Sequence, residues 1–455
     1  MKSPKAGKPV HSLTEGSVIQ AVRVLAVPTI VGNLLQNLHT VIDIYFIGKL
    51  GPESIAAVSL GGVVIDVLWT VIAGLSLGFR ALISRAAGAK NLEQAAHIAN
   101  QAILLVFLIS IPLAIAGAIY ARPITIFLGA EPAVVPVATI YFRVIIGSAF
   151  LYLTTHTASA ILHALGEARI PAQAMLLITV ITFSLEPLLI FGWGPVPGFG
   201  VAGAAMTLVA CYTVAGSYLF FVLARGHRGV KLSFQDMRAD WPLLVKILKI
   251  GLPRTFQRSF RAFGDIAMIK IVAGFGTHTL AAYGVAMRIV TLVNSPGWAM
   301  ASVASTMVGQ NLGAKKPERA EKSAWLATAI YGAILFVVTL VFLFFGSQIV
   351  GFFNNDPEVV ARGARLLHLT APFYSFLALA MVLGGALGGS GDTVPPMVIS
   401  AISLSGVQVA AALVLPQLFG LNENGLWLAI SLGLLTWGGG TALWFHRGRW
   451  KQKVL

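Results

Sequence analysis

Four acidic side chains interrupt long apolar runs: Asp43, Asp66, Glu186 and Asp265. Within a membrane a carboxylate costs about 3 kcal/mol on insertion scales, so it faces a cavity, pairs with a base or takes up a proton. The run around Asp43 is polar along one stripe. At about 100° per residue, Asn33, Gln36, Asn37, Thr40 and Asp43 fall within an arc of about 120°, a hydrophilic face turned away from lipid. Pro28, upstream of that stripe, removes a backbone hydrogen bond and permits a bend. The stripe can serve a polar pocket, or it can bond neighbouring helices at about 1 kcal/mol per hydrogen bond.

A second constellation is basic. Arg254, Arg258, Arg261 and Asp265 recur at i, i+4, i+7 and i+11, on one side of a helix. Three guanidiniums cannot face lipid. They pair internally, with Asp265 satisfying one; they line a water-filled cavity that attracts anions; or those near the helix start meet headgroups. Arg23, Arg80, Lys270 and Arg288 are expected to snorkel to headgroups from near helix ends. Other chemistry finds little support. Cys211 is a single cysteine in an apolar stretch, so neither an intramolecular disulfide nor a cysteine cluster can form, and a small core residue is expected. His156 and His163 could share a helix face but have no carboxylate partner. The chain has no Gly-x-Ser-x-Gly elbow and no phosphate loop. No metal site and no enzyme are expected.

These residues must be positioned by membrane helices. Of 455 residues, 57% are hydrophobic and 11% charged, against about 25% charged in soluble proteins. A soluble fold is excluded. Each crossing needs roughly 20 apolar residues, and the runs place twelve spans at 18–48, 54–86, 94–121, 133–163, 169–192, 200–224, 243–274, 279–311, 319–346, 358–389, 394–418 and 424–446. The chain also repeats at an offset of 225: Pro28 falls on Pro253, Gly51 on Gly276, Gly88-Ala89-Lys90 on Gly313-Ala314-Lys315, and Gly166 on Gly391. The reading is an all-α integral membrane protein of two six-helix lobes. The divisions are a cytoplasmic tail 1–17, an N-lobe 18–224, a linker 225–242, a C-lobe 243–446 and a cytoplasmic tail 447–455. Residues Met1 to Gly16 lack the apolar core of a cleavable signal peptide.

The net charge of +15 then acquires a meaning. Twenty of the 32 basic residues fall in segments sharing a face with the amino-terminal tail, and only Lys49, Arg122, Arg362 and Arg365 in the opposite loops. By the positive-inside rule both termini are cytoplasmic. Nucleic-acid binding is not needed to explain the charge.

Several motifs carry a resemblance. Asp43-Ile-Tyr-Phe-Ile-Gly48, Leu185-Glu186-Pro187, Gly200-Val-Ala-Gly-Ala-Ala205, Leu280-Ala-Ala-Tyr283, Val308-Gly-Gln-Asn-Leu-Gly-Ala314 and Gly389-Ser-Gly-Asp392 resemble the multidrug and toxic compound extrusion (MATE) family, closer to its DinF-like branch. The likeness runs from about residue 18 to 445. It implies two lobes around a central cavity and export of drugs or metabolites driven by inward H⁺ or Na⁺. Asp43 matches the acid of the first span, and Tyr141 and Pro28 match the branch's N-lobe pocket. Glu186 stands where the branch has Asp in an Asn-x-x-x-Asp-Pro pattern, and Thr182 replaces that Asn. In the family's other main branch an acid eight residues after the seventh-span proline helps bind Na⁺. Here that position is Arg261, and the tenth span has no embedded acid. A guanidinium repels Na⁺, so the resemblance favours H⁺ coupling at Asp43 and Glu186, with no cofactor.

The resulting expectation is a monomeric, multi-pass antiporter of the cell membrane, the inner membrane in a Gram-negative cell, working by alternating access. The three arginines point to an anionic or zwitterionic small organic substrate, and lipid is the other partner. The rivals are a flippase of the same superfamily for a lipid-linked precursor and, further off, an integral-membrane enzyme.

Overall fold

The computed structural model describes residues 13–233 and 238–455; Lys2, Lys5 and Lys8 of the tail and linker residues 234–237 lie outside them. In hydrocarbon every backbone N–H and C=O must be paired inside the chain, and a helix does this within one segment. The described residues form twelve long helices. In the first half they are α1 (Val18–Gly48), α2 (Pro52–Gly88), α3 (Leu92–Phe127), α4 (Val135–Gly147 with Ala149–Ala164), α5 (Arg169–Phe191) and α6 (Val201–Ala224). The second half gives α7 (Trp241–Ala273), α8 (Thr277–Gly313), α9 (Pro317–Phe353), α10 (Pro357–Ser390), α11 (Val394–Val414) and α12 (Glu423–His446). Nine are long and apolar enough to cross a membrane alone, and the two parts of α4 qualify together. The others, α7 and α8, have 33 and 37 residues, ample length for a crossing.

The offset read from the residues recurs in the backbone. Pro52–Gly88 maps onto Thr277–Gly313 at both ends, a shift of 225. The turns repeat as well: φ is 101° at Gly51 and Gly276, 60° at Lys90 and 58° at Lys315, and 81° and 85° at Gly166 and Gly391. A left-handed lysine is sterically uncommon, and both copies hold one at the same place.

The helices are less uniform than the twelve simple spans expected. The fourth, read as one helix over 133–163, is bent by 44° at Ser148. The cause is local: Gly147 has no β-carbon, and the Ser148 hydroxyl donates to the Ile145 carbonyl at 3.0 Å, competing with the helix ladder. In α10 a 3₁₀ turn at Ala371–Phe373, which contains Pro372, is followed by a π turn at Leu379–Leu383. A further π turn, Ala401–Val407, lies in α11. Phe345 leaves helical geometry inside α9.

The chain forms two compact units. One consists of Pro28–Ile83 and Asn91–Thr255; the other of Met1–Val27, Ser84–Lys90 and Phe256–Leu455. In the second unit the ends of α2 and α8 cross backbone to backbone. A β-carbon on Gly88 would fall on the Gln310 carbonyl, and one on Gly313 on the Arg85 carbonyl. Arg85 and Gln310 are themselves 225 apart, so these are one contact repeated about a local two-fold axis. In the first unit a charged clamp joins the α4–α5 turn to the residues after α6. Glu167 is held by His227 Nε2 at 3.2 Å and Arg228 Nη2 at 3.3 Å, and Arg228 also donates to the Leu165 carbonyl at 2.9 Å. Burial raises the Glu167 carboxyl, but the His227 hydrogen bond, the Arg228 charge and the Arg169 amide outweigh it and hold the group at about 2.

Two outcomes follow. Gly313→Val and Gly88→Val should each lower the thermal transition in detergent by the equivalent of about 1–3 kcal/mol, because backbone cannot yield as a side chain can, while Gly62→Ala, which faces open space, should not. Equal effects at all three positions would remove the special role of the crossing. Glu167→Gln should lower the transition at pH 7 by a few degrees. The contribution of a carboxyl held below its ordinary value of 4.5 is full above that pH and lost as pH falls through about 2. The gap between parent and variant should therefore close on acidification, read by a thermal-shift series from pH 7 downward; a gap that widens would refute the clamp.

Candidate functional site

The site is built on α1 and α5, which pack closely within the first unit. A β-carbon added at Gly32 of α1 would be in ordinary contact with Ala172 on α5, and the Thr179 hydroxyl donates across to the Leu35 carbonyl at 3.3 Å. Two prolines open the ladders of these helices. Pro28 cannot donate to the Val24 carbonyl, nor Pro187 to that of Phe183. The boundary between the compact units falls at Pro28, so α1 passes from one unit to the other at its unpaired turn.

Downstream, the acidic residues of the two helices converge. The Asp43 and Glu186 carboxyls act directly on one another. Glu186 is 1% exposed, and neither of its oxygens reaches a hydrogen-bond donor among the described residues. Asp43 is half-buried, one helical turn from His39, whose charge acts on it and whose buried Nε2 has no hydrogen-bond partner among the described residues. Tyr141, 1% exposed, comes from α4 into reach of both carboxyls. Gly61 of α2 makes room for it, since a β-carbon there would run into the Tyr141 ring. Thr182 lies one turn before Glu186 and meets the Cys211 thiol of α6 at 3.3 Å, and that thiol also donates to the Ile178 carbonyl at 3.6 Å. Tyr212 adjoins Cys211 and is in electrostatic reach of Asp43.

Each carboxyl feels the other's charge, and Asp43 also feels that of His39. An ionised carboxylate enclosed without donors is heavily penalised. A proton carried by either group can be shared with the other and removes the uncompensated charge. Chemically, two carboxyls so enclosed are able to hold a proton between them.

Of the residues singled out from sequence, Asp43, Glu186, Tyr141 and Thr182 come together. Asn33, Gln36 and Asn37 are half-buried on the same helix, whereas Thr40 is exposed and donates to the Gln36 carbonyl at 3.1 Å. Sequence reasoning omitted His39, although its position four residues before Asp43 was a usable signal. It took Cys211 as core and passed over Tyr212, because only the packing of α6 on α5 brings them to the carboxyls.

The basic stripe divides. Arg254 belongs to the first unit; Arg258, Arg261 and Asp265 belong to the second. Asp265 pairs with Arg261 at 4.0 Å, and the Arg261 guanidinium lies 5.7 Å from the Trp437 ring centre. Gln257, beside Arg258, is buried and donates to the Pro396 carbonyl at 3.1 Å. Arg80, expected at the headgroups, is instead turned inward: its Nε is buried and its charge acts on His163. His156 packs among the rings of Trp69, Tyr152 and Tyr212, with centroids at 4.9, 4.5 and 5.9 Å. Among the described residues no three His, Cys, Asp or Glu side chains could hold a metal ion.

Comparison with known proteins gives three findings. The MatE family model matches residues 28–188 and 253–414. A probable multidrug resistance protein of Bacillus subtilis, YoeA, is 28% identical over 458 residues and covers 96% of each chain, and a FAD transporter of Shewanella oneidensis is 26% identical over 383 residues, 83% of each. An outward-facing multidrug resistance MATE family transporter of the MOP superfamily has a similar fold, with a TM-score of 0.90 at 23% identity, over 99% of this chain and 100% of the other.

Proposed function

The chain belongs to the MatE family of multidrug efflux transporters, and on that premise we propose that it exports a small organic compound in exchange for inward protons, by alternating access. As a member it is a multi-pass membrane transporter and not an enzyme. The observation that carries proton coupling is the Asp43–Glu186 pair, enclosed with His39 and Tyr141, with neither Glu186 oxygen reaching a donor among the described residues. Proton uptake neutralises the pair, relieves the repulsion between the two carboxyls and lets α1 bend at Pro28. That rearrangement displaces cargo from a pocket bordered by Asn33, Gln36, Asn37 and Thr182. The lobes of this carrier are residues 18–224 and 243–446, with both termini cytoplasmic in the cell membrane, as the loop charges support.

The cargo is anionic or zwitterionic in this reading. Arg258 and Arg261 lie on α7 within one compact unit, and Arg261 meets Asp265 at 4.0 Å while remaining part-exposed. A relative named for transport of FAD, a polyanion, is consistent with such cargo.

Asp43→Asn and Glu186→Gln should each abolish efflux driven by an imposed pH gradient in everted vesicles, while expression and the thermal transition stay near the parent's. Undiminished driven transport in Asp43→Asn would sink the coupling assignment, and equal driving by a Na⁺ gradient would replace H⁺ as the ion. With matched anionic and cationic dyes, Arg258→Ala and Arg261→Ala should each cut anion efflux about tenfold, the equivalent of about 1.4 kcal/mol, and spare the cation. Cation export by the parent with no anion export would overturn the cargo reading.

A further inference from the structure

The α2–α8 crossing is bounded on two sides by short tail segments that the coupling site does not use. Residues Leu13 to Gly16 precede α1. Arg319, in the first turn of α9, donates to three of their carbonyls: Nη1 to Gly16 at 2.8 Å, Nη2 to Glu15 at 2.9 Å, and Nε and Nη2 to Leu13 at 3.4 and 3.3 Å. Lys316 Nζ donates to the Thr14 carbonyl at 2.9 Å, and the buried Asn311 amide, at the end of α8, reaches the Leu13 carbonyl at 3.5 Å. The Leu13 side chain is buried under this grip. Glu15 faces Lys90, just beyond α2, at 3.8 Å.

The carboxy-terminal segment is held as firmly. Arg85 Nη1, in the last turn of α2, donates to the Lys453 carbonyl at 2.6 Å. The Lys453 ammonium meets Asp392 at 3.0 Å, in the turn between α10 and α11, and Lys451 meets Glu321 of α9 at 2.6 Å. Trp450 is fully buried against Phe445, their ring centroids 4.6 Å apart.

All these contacts lie within one compact unit, to which α2 contributes only the stretch from Ser84. The crossing itself is an approach of bare backbone at Gly88 and Gly313, supplemented by Gly309 against Ser84. Such an approach sets the distance between the two helices but supplies no charge-assisted bond of its own. The charge-assisted bonds around it are the stronger element. Most of them end on backbone carbonyls that water can satisfy once released, so breaking them leaves few buried groups unpaired.

We propose that Leu13–Gly16 and Trp450–Leu455 form a two-sided latch that holds the ends of α2 and α8 together, and that releasing it is a step of the transport cycle. This rests on the alternating-access reading, in which one end of the carrier must be shut while the other is open. It does not depend on which ion drives transport.

The test places a thiol under the latch. Ser84→Cys is buried at the crossing, and its labelling by a membrane-impermeant maleimide is followed in everted vesicles with neither gradient nor substrate; the parent's Cys211 supplies the background. Arg319→Ala frees the first segment, and truncation after Trp450 frees the second while keeping the buried indole. Each should speed labelling roughly five- to tenfold, the shift expected when one or two charge-assisted bonds are removed from one of two states. Arg319→Lys, which retains a charge but not the three-carbonyl grip, should fall between parent and Arg319→Ala. Unchanged labelling in both release variants overturns the latch, and so does equal labelling in Arg319→Lys and Arg319→Ala. Because no gradient is applied, failure of proton coupling in Asp43→Asn leaves this readout unaffected, so the two ideas fail separately.

Discussion

Close approach of backbone to backbone at the α2–α8 crossing is the constraint on which the arrangement depends. At Gly88 and Gly313 the space for a β-carbon is already occupied by a carbonyl of the other helix. In a membrane, helices gain little from hiding apolar side chains from one another, since lipid is equally apolar, and packing of small residues takes over. A contact of that kind fixes both the distance and the relative register of its helices. Because it joins equivalent positions of two copies of one sequence, it imposes the local two-fold relation that the 225-residue repeat requires. The left-handed Lys90 and Lys315 that follow are the shared means by which each copy turns into its next helix.

The acidic centre obeys a different constraint. Water would solvate Asp43 and Glu186 cheaply, but the helices that enclose them offer Glu186 no donor among the described residues. Two such groups coexist at least cost when a proton is held between them. The prolines make this useful. Pro28 and Pro187 open the hydrogen-bond ladders of α1 and α5, so the helices that carry the acids are also able to bend. Charge and flexibility thus meet on the same two elements.

Much of the fold was legible in the residues. Each of the twelve spans placed on an apolar run falls on a long helix among the described residues, and the repeat could be counted directly. The bend at Ser148 was not read, because a Gly-Ser pair is too common in membrane helices to mark a break by itself. The π turns of α10 and α11 left no distinct sequence signal. At the site, Asp43 and Glu186 stood out as charges in apolar runs, and the family resemblance added Tyr141 and Thr182. His39 carried a signal of spacing that went unused. Cys211 and Tyr212 carried none, since nothing local says that α6 lies against α5. Arg80 was misread for a related reason: nearness to a helix end suggests a route to the headgroups, but only packing shows that the side chain turns inward to His163.

What the sequence determined by itself is the list of elements and their orientation: helix count, repeat, the side marked by positive charge, and the few ionisable groups placed against their solvent preference. These are one-dimensional properties, set by the cost of transferring each residue from water to lipid. Only the tertiary structure decided which of those groups meet. It joined Asp43 to Glu186, 143 positions apart, divided the arginines of α7 between two compact units, and gathered both tail segments onto the crossing of α2 and α8. Those outcomes depend on helix register and rotation, which side-chain packing sets and which apolar periodicity in a lipid-facing helix does not encode.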